Sequence, residues 1–471
     1  MIGLNDLPES PRWSYRRDVD YVSGACLALD TALFHQLGGL ADDLAPAYCE
    51  DLDLCLRIRE HGLRVIYTPE AEIIHHLSRT SDAVGNSYKH DGILRNMQLL
   101  SERHQATFDA LGDLRVIAFH LPQFHPLPEN DLWWGQGFTE WTNVSKARAN
   151  FVGHDQPRLP SDLGYYDLRL PEAMEAQWNL AARYGIDGFC YYYYWFDGYR
   201  LLERPLDRLL DHSAAAFPFC LCWANENWTR RWDGQDQEIL MAQHHSPQDD
   251  LGVIRDLARY MRHPAYIRVR GRPLLLVYRT DLFPHFSDTA RRWRAESLRL
   301  GLGEIYLAMV ESFGFADANV SPSCYGCDAS VEFPAHYMPR VRAPDGAMVN
   351  PEFRGHVCDY DDLALHFATR EHPGFTRCRT VMPGWDNTAR LQNTSFVLEN
   401  ATPGVFQAWM ETAVAETRRD LQGDERLLFI NAWNEWAEGS YLEPDRRFGH
   451  TFLEAVRNAR DAAHLLHDKE R

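Results

Sequence analysis

Short apolar segments recur along residues 113–443, and each is followed by polar or aromatic residues and then by a helix-like stretch. Continuous apolar runs are typical of strands that are buried on both faces of a parallel sheet. Eight segments fit this description, namely RVIAF (115–119), IDGFCYYYY (186–194), FPFCLCW (217–223), PLLLVY (273–278), IYLAMV (305–310), DASVEF (328–333), RTVMPGW (379–385) and LLFINAW (427–433).

Amphipathic segments between these runs predict helices. Residues 171–185 begin with Pro171 and end at Gly185, and residues 288–302 and 403–420 have the same character. Eight strands that alternate with helices predict an α/β fold, a (β/α)8 TIM barrel with insertions. A doubly wound open sheet is the alternative, but the glycine-rich first turn that is typical of such sheets is missing.

A barrel would carry its chemistry at the C-terminal ends of its strands. Polar and aromatic residues follow the predicted strands at these positions. They include His120 after the first strand, Tyr194 and Trp195 after the second, Trp223, Asn225 and Glu226 at the third, Asp386 and Asn387 after the seventh, and Asn434 and Glu435 after the eighth.

The eighth segment ends in an unusual sequence, FINAWNEWAEGSYLEPD (429–445), with two carboxylates three residues apart. Hydrolysis of a glycoside needs an acid that protonates the leaving oxygen and a second carboxylate that assists. Closely spaced carboxylates also push each other's proton affinities apart, which yields one acid and one base near neutral pH. We therefore predict that Glu435 and Glu438 are catalytic, with salt bridges inside the loop as the alternative.

Aromatic residues are abundant, with 14 Trp, 21 Tyr and 23 Phe, and many of them cluster with polar groups instead of aliphatic ones. Aromatic rings stack on the apolar faces of sugars while polar side chains bind the hydroxyl groups. Core packing is the alternative for each single ring. The predicted substrate-binding residues are His120, Tyr194, Trp195, Trp223, Asn225, Glu226, Trp228, Asp386, Asn387, Asn434 and Trp436.

The net charge of −19 disfavours a nucleic-acid partner. The ten cysteines lack the spacing of a zinc site, so we expect no metal and no cofactor. The sequence has no apolar run long enough for a membrane span, and its first 25 residues lack the apolar core of a signal peptide. We expect a cytoplasmic location, peripheral to the inner membrane.

The N-terminal segment, residues 1–85, resembles the C-terminal half of a family 2 glycosyltransferase of the GT-A fold. The resemblance rests on VSGACLAL (22–29), EDLDLCLRIREHG (50–62) and VIYTPEAEIIHH (65–76). It implies that Glu50 and Asp51 correspond to the base of that family. The half that binds the nucleotide-sugar is absent from the sequence, so we expect a partial domain with a vestigial base. Residues 86–112 are predicted to form a helical connector.

A more specific resemblance covers residues 113–465. The segments AFHLPQFHPLPENDLWWGQGFTEWTNV (118–144), YGIDGFCYYYYWF (184–196), LCWANENWTRRWDG (221–234), MPGWDNTAR (382–390) and INAWNEWAEGSYLEPD (430–445) resemble the WbsX-type domain, which is related to glycoside hydrolase family 99. That family consists of (β/α)8 barrels that act as endo-α-mannosidases or mannanases. The resemblance implies retaining chemistry in which Glu435 is the base on the sugar's own 2-hydroxyl group and Glu438 is the acid. A conventional nucleophile and acid would have the same spacing.

These features together predict a carbohydrate-active enzyme. We expect it to cleave or transfer glycosidic bonds during the biosynthesis or processing of a cell-surface polysaccharide of the O-antigen or lipopolysaccharide type. Its partners would be a glycan or glycolipid substrate and membrane-associated polysaccharide-assembly machinery. The alternatives are a glycosyltransferase proper and a non-catalytic glycan-binding module.

Overall fold

The computed structural model describes residues 17–19, 21–45, 48–61, 63–71, 73, 86–104, 114–211, 217–230, 235–316 and 318–462. The chain divides into two compact units. The larger unit consists of residues 114–454, and the other consists of residues 1–113 together with 455–471. Among the described residues, every helix is too short or too polar to cross a lipid bilayer.

Parallel strands form the central sheet of the larger unit. In chain order they are β1 (Arg115–His120), β2 (Gly188–Phe196), β3 (Phe219–Trp223), β4 (Arg272–Val277), β5 (Tyr306–Glu311), β6 (Ala329–Glu332), β7 (Arg377–Cys378), β8 (Thr380–Val381) and β9 (Leu427–Ile430). Their order in the sheet is β7-β6-β5-β4-β3-β2-β1-β9-β8. The two ends of this sheet, β7 and β8, are separated by Arg379 alone. The sheet therefore closes on itself, which confirms the predicted barrel and excludes the open sheet.

The strands form where the apolar runs predicted them. Their residues are almost entirely buried, as expected for strands with helices on one face and a packed barrel interior on the other. Only the seventh position differs noticeably: the prediction began at Arg379, whereas the strand begins at Arg377 and is split into β7 and β8.

Helices connect the barrel strands. Their bounds are Pro128–Trp134, Glu140–Val144, Pro171–Arg183, Glu203–Asp211, Pro247–Met261, Phe286–Arg299, Tyr360–Ala368, Thr388–Leu391 and Pro403–Asp420. A further helix, Thr451–Ala462, follows the last strand, and its residues from 455 onward belong to the smaller unit. Proline at the first helical position begins several of them, because its missing N–H has no partner there in any case. The predicted helices at 171–185, 288–302 and 403–420 are present with small shifts at their ends.

Further short strands occur besides the parallel strands β1–β9 of the barrel. Antiparallel partners add Tyr199–Leu201 to β2 and Arg268–Val269 to β4. A separate sheet contains Val341–Arg342, His356–Asp359 and Phe396–Glu399. Two short hairpins pair Trp228–Arg230 with Gln235–Met241, and Asn434–Glu435 with Ser440–Tyr441. The second hairpin lies in the segment that carries the predicted catalytic pair.

A buried ionic cluster joins β5 and β6 to the split seventh position, and we call it the clasp cluster (Glu311, Glu332, Arg370, Arg377 and Arg379). Glu311 accepts hydrogen bonds from Arg377 at 2.8 Å and from Arg370 at 2.9 Å. Glu332 accepts from Arg379 at 2.9 Å and from Arg370 at 3.2 Å. Both glutamates end barrel strands, but their carboxylates are occupied by arginines, so they stabilise the barrel closure.

The smaller unit pairs Arg17–Asp18 with Ile66–Tyr67 and contains the helices Thr31–Gln36, Glu50–Glu60 and Asn86–Arg103. Glu50 and Asp51 lie in the first turn of the second helix and line a cavity of about 410 Å³. Asp51 accepts a hydrogen bond from the backbone N–H of Gly24 at 2.9 Å. Residues 74–85, the end of the region that resembles a glycosyltransferase, lie outside the described residues.

Candidate active site

A cavity of about 410 Å³ opens at the C-terminal ends of the barrel strands. Every strand position contributes to its wall, either from the strand end or from the loop that follows. Its lining includes Gln123, Tyr192, Tyr194, Glu226, Tyr278, Phe313, Phe333, Trp385, Asn387, Glu435 and Glu438. The volume lies within the range of small-molecule sites in proteins.

A tight hairpin brings Glu435 and Glu438 to this cavity. Glu435 pairs with Ser440 in the hairpin, and residues Trp436–Glu438 form a single 3₁₀ turn at its tip. Gly439 completes the turn with φ +61°, a conformation that favours glycine. A Cβ atom at Gly439 would lie 2.9 Å from Asp386, so this position also lacks room for a side chain.

Three buried contacts fix the hairpin in place. The side-chain amide of Asn434 accepts from the backbone N–H of Leu121 at 2.7 Å and donates to its carbonyl at 3.0 Å. The indole of Trp436 donates to Glu443 at 2.6 Å. The backbone N–H of Asp386 donates to the carbonyl oxygen of Glu438 at 2.7 Å. The hairpin backbone is thus held on both sides of its tip.

The carboxylate of Asp386 is itself tightly held behind the hairpin. It accepts hydrogen bonds from Gln156 at 2.7 Å, from His154 at 2.9 Å and from the backbone N–H of Thr388 at 3.1 Å. Burial acts to raise its pKa, but the hydrogen bond from His154 and the charge of Arg158 outweigh burial and hold the pKa well below its usual range. Asp386 is therefore an ionised structural anchor.

The two hairpin carboxyls have different electrostatic surroundings. Glu435 is only 7% exposed, and burial raises its pKa to about 8, with the nearby Glu140 adding to the rise and Arg390 opposing it. Glu438 is more exposed and forms an ion pair with Arg390, which stabilises its negative charge. Near neutral pH the free site therefore favours a proton on Glu435. The family resemblance, by contrast, implies that Glu435 is the base.

A third carboxyl, that of Glu140, lines the same cavity and was missed by the sequence analysis. It is 1% exposed, and one of its oxygens accepts a hydrogen bond from the backbone N–H of Ala437, between the two hairpin glutamates, at 3.2 Å. Burial raises its pKa to about 7, against the opposing charge of Arg390.

Aromatic side chains form much of the remaining wall. Tyr194 and Trp228 meet edge to face with ring centroids 5.4 Å apart, and Tyr278 and Phe333 do so at 5.2 Å. Such rings offer flat apolar surfaces next to the carboxyls. The apolar face of a sugar ring can stack on them while its hydroxyl groups bind the carboxyls.

The structure brings six of the predicted site residues to the cavity, namely Tyr194, Glu226, Trp228, Asn387, Glu435 and Glu438. Glu226 also pairs with Arg279 at 2.7 Å. Asn387 accepts a hydrogen bond from the backbone N–H of Phe396 at 2.7 Å, so part of its amide is already occupied.

Seven predicted substrate-binding residues do not reach the cavity, namely His120, Trp195, Trp223, Asn225, Asp386, Asn434 and Trp436. All are buried against protein. His120 is hydrogen-bonded to Gln177 at 3.1 Å, Trp195 donates to Asp249 at 2.6 Å, and Trp223 packs against Trp293 and Phe283. Asn225 bonds to the backbone of Arg279 in both directions. We therefore assign these seven to the support of the site and not to contact with substrate.

Strand alternation explains much of this division. Successive side chains of a strand point to opposite faces. On β2, Tyr192 and Tyr194 face the cavity, whereas Tyr193 donates to Asp256 and Trp195 donates to Asp249 in the surrounding helix Pro247–Met261. The motif CYYYYWF contains residues that line the cavity, but the alternation of side chains along the strand decides which of its residues face the cavity.

Other residues that line the cavity were not predicted as site residues, although most lie inside the sequence motifs given above. They are Trp134 and Glu140 in the segment 118–144, Tyr192 in 184–196, and Trp385 and Arg390 in 382–390. Within the described ranges, no group of three or more His, Cys, Asp or Glu side chains is arranged to hold a metal ion.

Comparisons with known proteins identify a family and a near relative. The family described as glycosyltransferase WbsX matches residues 116–456. The uncharacterized protein WxcX of Xanthomonas campestris pv. campestris is 48% identical over 346 residues, which cover 73% of this chain and 49% of that protein. The chain thus spans about half the length of the curated relatives it matches.

Two further similarities are more distant. An N-acetylglucosaminyl-diphospho-decaprenol L-rhamnosyltransferase of Mycobacterium tuberculosis is 31% identical over 97 residues, 21% of this chain and 28% of that protein, and supports the N-terminal resemblance only weakly. The solved structure of a GH99 endo-α-mannosidase from Bacteroides thetaiotaomicron is 15% identical, with a TM-score of 0.47, and the match covers 76% of this chain and 99% of that one. The family match, residues 116–456, covers nearly the whole barrel. The chain therefore belongs to the WbsX glycosyltransferase family.

Proposed function

We propose that the barrel acts on a glycosidic bond of a cell-surface glycan, with Glu435 and Glu438 as the catalytic pair and with retention of configuration. The observation that carries this proposal is their convergence: two carboxyls from one hairpin line one cavity with aromatic walls at the C-terminal end of a barrel. A structural salt-bridge pair would need neither the cavity nor the unusual proton affinity of Glu435.

The site suits either hydrolysis or transfer. Retaining chemistry proceeds through an intermediate that water or another hydroxyl group can attack. The family description favours transfer, and an enzyme of polysaccharide assembly would use a glycan acceptor. We propose a glycolipid or glycan of the O-antigen type as the natural substrate, encountered beside membrane-associated assembly machinery.

The primary test is turnover of activated glycosides with and without acceptors. A panel of 4-nitrophenyl glycosides, beginning with the α-mannoside, is incubated with the wild type, Glu435→Gln and Glu438→Gln. We expect the variant that lacks the base or nucleophile to lower kcat by about 10²- to 10⁴-fold without loss of folding, and the variant that lacks the acid to lower kcat less, because the 4-nitrophenolate leaving group needs little protonation. Product that forms only with an acceptor identifies a transferase. If both variants bind glycan and leave cell-surface polysaccharide unchanged, a glycan-binding module is the better reading.

A second measurement decides which carboxyl is the acid. The proton affinities of the free site suit Glu435 as the acid, whereas the family resemblance implies Glu438. A substrate with a highly activated leaving group needs little protonation, so the variant that lacks the acid should recover much more activity on it than the other variant does. Recovery by Glu438→Gln alone would support the order implied by the resemblance, and recovery by Glu435→Gln alone would support the order favoured by the charges.

A further inference from the structure

Glu140, like the buried Asp249 and Asp250, has one carboxyl oxygen without a hydrogen-bond partner among the described residues, but unlike those two it lines the cavity of Glu435 and Glu438. One of the Glu140 oxygens, Oε1, accepts from the N–H of Ala437. The other oxygen, Oε2, is buried and has no hydrogen-bond partner among the described residues. An unsatisfied buried carboxylate oxygen is costly, and one that lies at a cavity can be satisfied by a donor of a bound ligand.

The surroundings of Glu140 indicate what would satisfy this oxygen. Its carboxyl lines the same cavity as Glu435 and Glu438 and is tied to the backbone of the turn that carries both. The charged and titratable groups around it are Glu435, Arg390, Tyr166 and Tyr194. Arg390 is already paired with Glu438, so the free oxygen is left for a donor that enters the cavity.

Resting on the proposed function, we propose that Glu140 is a third carboxyl of the active site that accepts a hydrogen bond from a hydroxyl group of the sugar ring bound at Glu435. The ligand class is a neutral sugar. A ring hydroxyl group can donate to Oε2 of Glu140, whereas the carboxylate of a uronic acid has only acceptor oxygens and cannot supply that donor.

Glu443 provides a matched control. It is equally buried, at 2% exposed, but its oxygens are filled by protein donors: Gln177 at 2.7 Å on one, and Trp436 at 2.6 Å and Tyr166 at 2.9 Å on the other. Glu443→Gln replaces an acceptor of three hydrogen bonds, so we expect it to lower the melting temperature. Glu140→Gln keeps an acceptor for Ala437 and changes only the oxygen without a partner, so we expect its melting temperature to be retained or raised.

The experiment measures sugar binding and turnover on the full chain. Thermal shift and calorimetry use methyl α-D-mannopyranoside, methyl α-D-glucopyranoside, methyl α-L-rhamnopyranoside and D-glucuronate as probes, and kinetics use the 4-nitrophenyl glycoside that the wild type turns over fastest. We expect Glu140→Gln to weaken neutral-sugar binding or kcat/KM by about 10- to 100-fold, the effect of losing one charge-assisted hydrogen bond. We also expect the limb of the pH profile that Glu435 controls to move to lower pH, because a neighbouring negative charge has been removed.

The outcomes separate this inference from the proposed function. If no neutral sugar binds the wild type and no glycoside is turned over, the proposed function is contradicted, and the proposed role of Glu140 is contradicted as well. If the wild type binds or turns over a sugar and Glu140→Gln does so equally well with an unchanged pH profile, only the role of Glu140 is contradicted. A loss of activity that merely parallels a loss of melting temperature, as in Glu443→Gln, would likewise overturn it.

Discussion

Two sets of buried glutamates in this barrel have opposite surroundings. In the clasp cluster, Glu311 and Glu332 end strands β5 and β6, and arginines fill their carboxylates. In the cavity, Glu435 is also buried, and the oxygen Oε2 of Glu140 has no partner in the described structure. Glu311, Glu332 and Glu435 all lie at or just after the C-terminal end of a barrel strand.

The difference teaches that neither burial nor position at a strand end marks a catalytic carboxyl. Paired buried charges stabilise the fold once they are formed, and removing one partner is costly. A buried carboxyl whose oxygens are not filled by protein donors instead lowers the stability of the fold, which is typical of groups that act on a ligand. The number of hydrogen-bond partners at each carboxyl oxygen distinguishes the glutamates of the clasp cluster from those of the cavity.

The largest expected effect on stability lies in the clasp cluster. Arg377→Met leaves the carboxylate of Glu311 with one of its two arginines, so we expect the free energy of unfolding to fall by about 3–5 kcal/mol. Chemical denaturation measures this fall. The double variant Arg377→Met/Glu311→Gln should recover part of it, because the uncompensated charge is gone. A single variant within about 0.5 kcal/mol of the wild type would remove the contrast between the two sets.

A smaller effect is expected at the hairpin tip. Gly439→Ala forces a side chain into a left-handed backbone position and toward Asp386, so we expect a loss of about 1–3 kcal/mol. Because the tip carries Glu438, kcat should fall more than the stability loss alone explains. Gly423→Ala, at a positive-φ turn with open space around it, is the control for backbone strain alone. Equal activity losses in the two variants would argue against a positioning role for the tip.

A third expected effect is a pH dependence of stability that originates in the cavity. The folded pKa values of Glu435 (about 8) and Glu140 (about 7) lie above the value of 4.5 for a free carboxyl. Their contribution to stability is complete below about pH 4.5 and is lost as the pH rises through 7 to 8. We therefore expect unfolding free energies of the wild type to decline over this range.

Substitution should flatten this decline. Glu435→Gln removes one titrating group and should be more stable than the wild type above about pH 8. The slope should not vanish, because burial also raises the pKa of Glu443 to about 7 and that of Asp249 to about 6. Parallel curves for the wild type and Glu435→Gln between about pH 5 and pH 9, measured by denaturant titration, would contradict the raised pKa.

The amino-acid sequence was sufficient to predict the barrel and the location of its site. Continuous apolar runs can be buried only between two layers, so eight runs alternating with helices fix a parallel sheet with helices around it. The ends of those runs then predict where polar side chains gather, and Glu435, Glu438, Tyr194 and Trp228, which were predicted as site residues, all line one cavity.

Only the tertiary structure decided which side chains face the cavity. Asn434 and Trp436 flank the proposed catalytic residue Glu435 in sequence, yet their side chains bond to Leu121 and Glu443. Glu140 is distant in sequence but lies beside the proposed catalytic pair, because it is held by Ala437. Local pattern determines the element that a residue belongs to, whereas the orientation of its side chain and the partners of each polar atom depend on segments far along the chain.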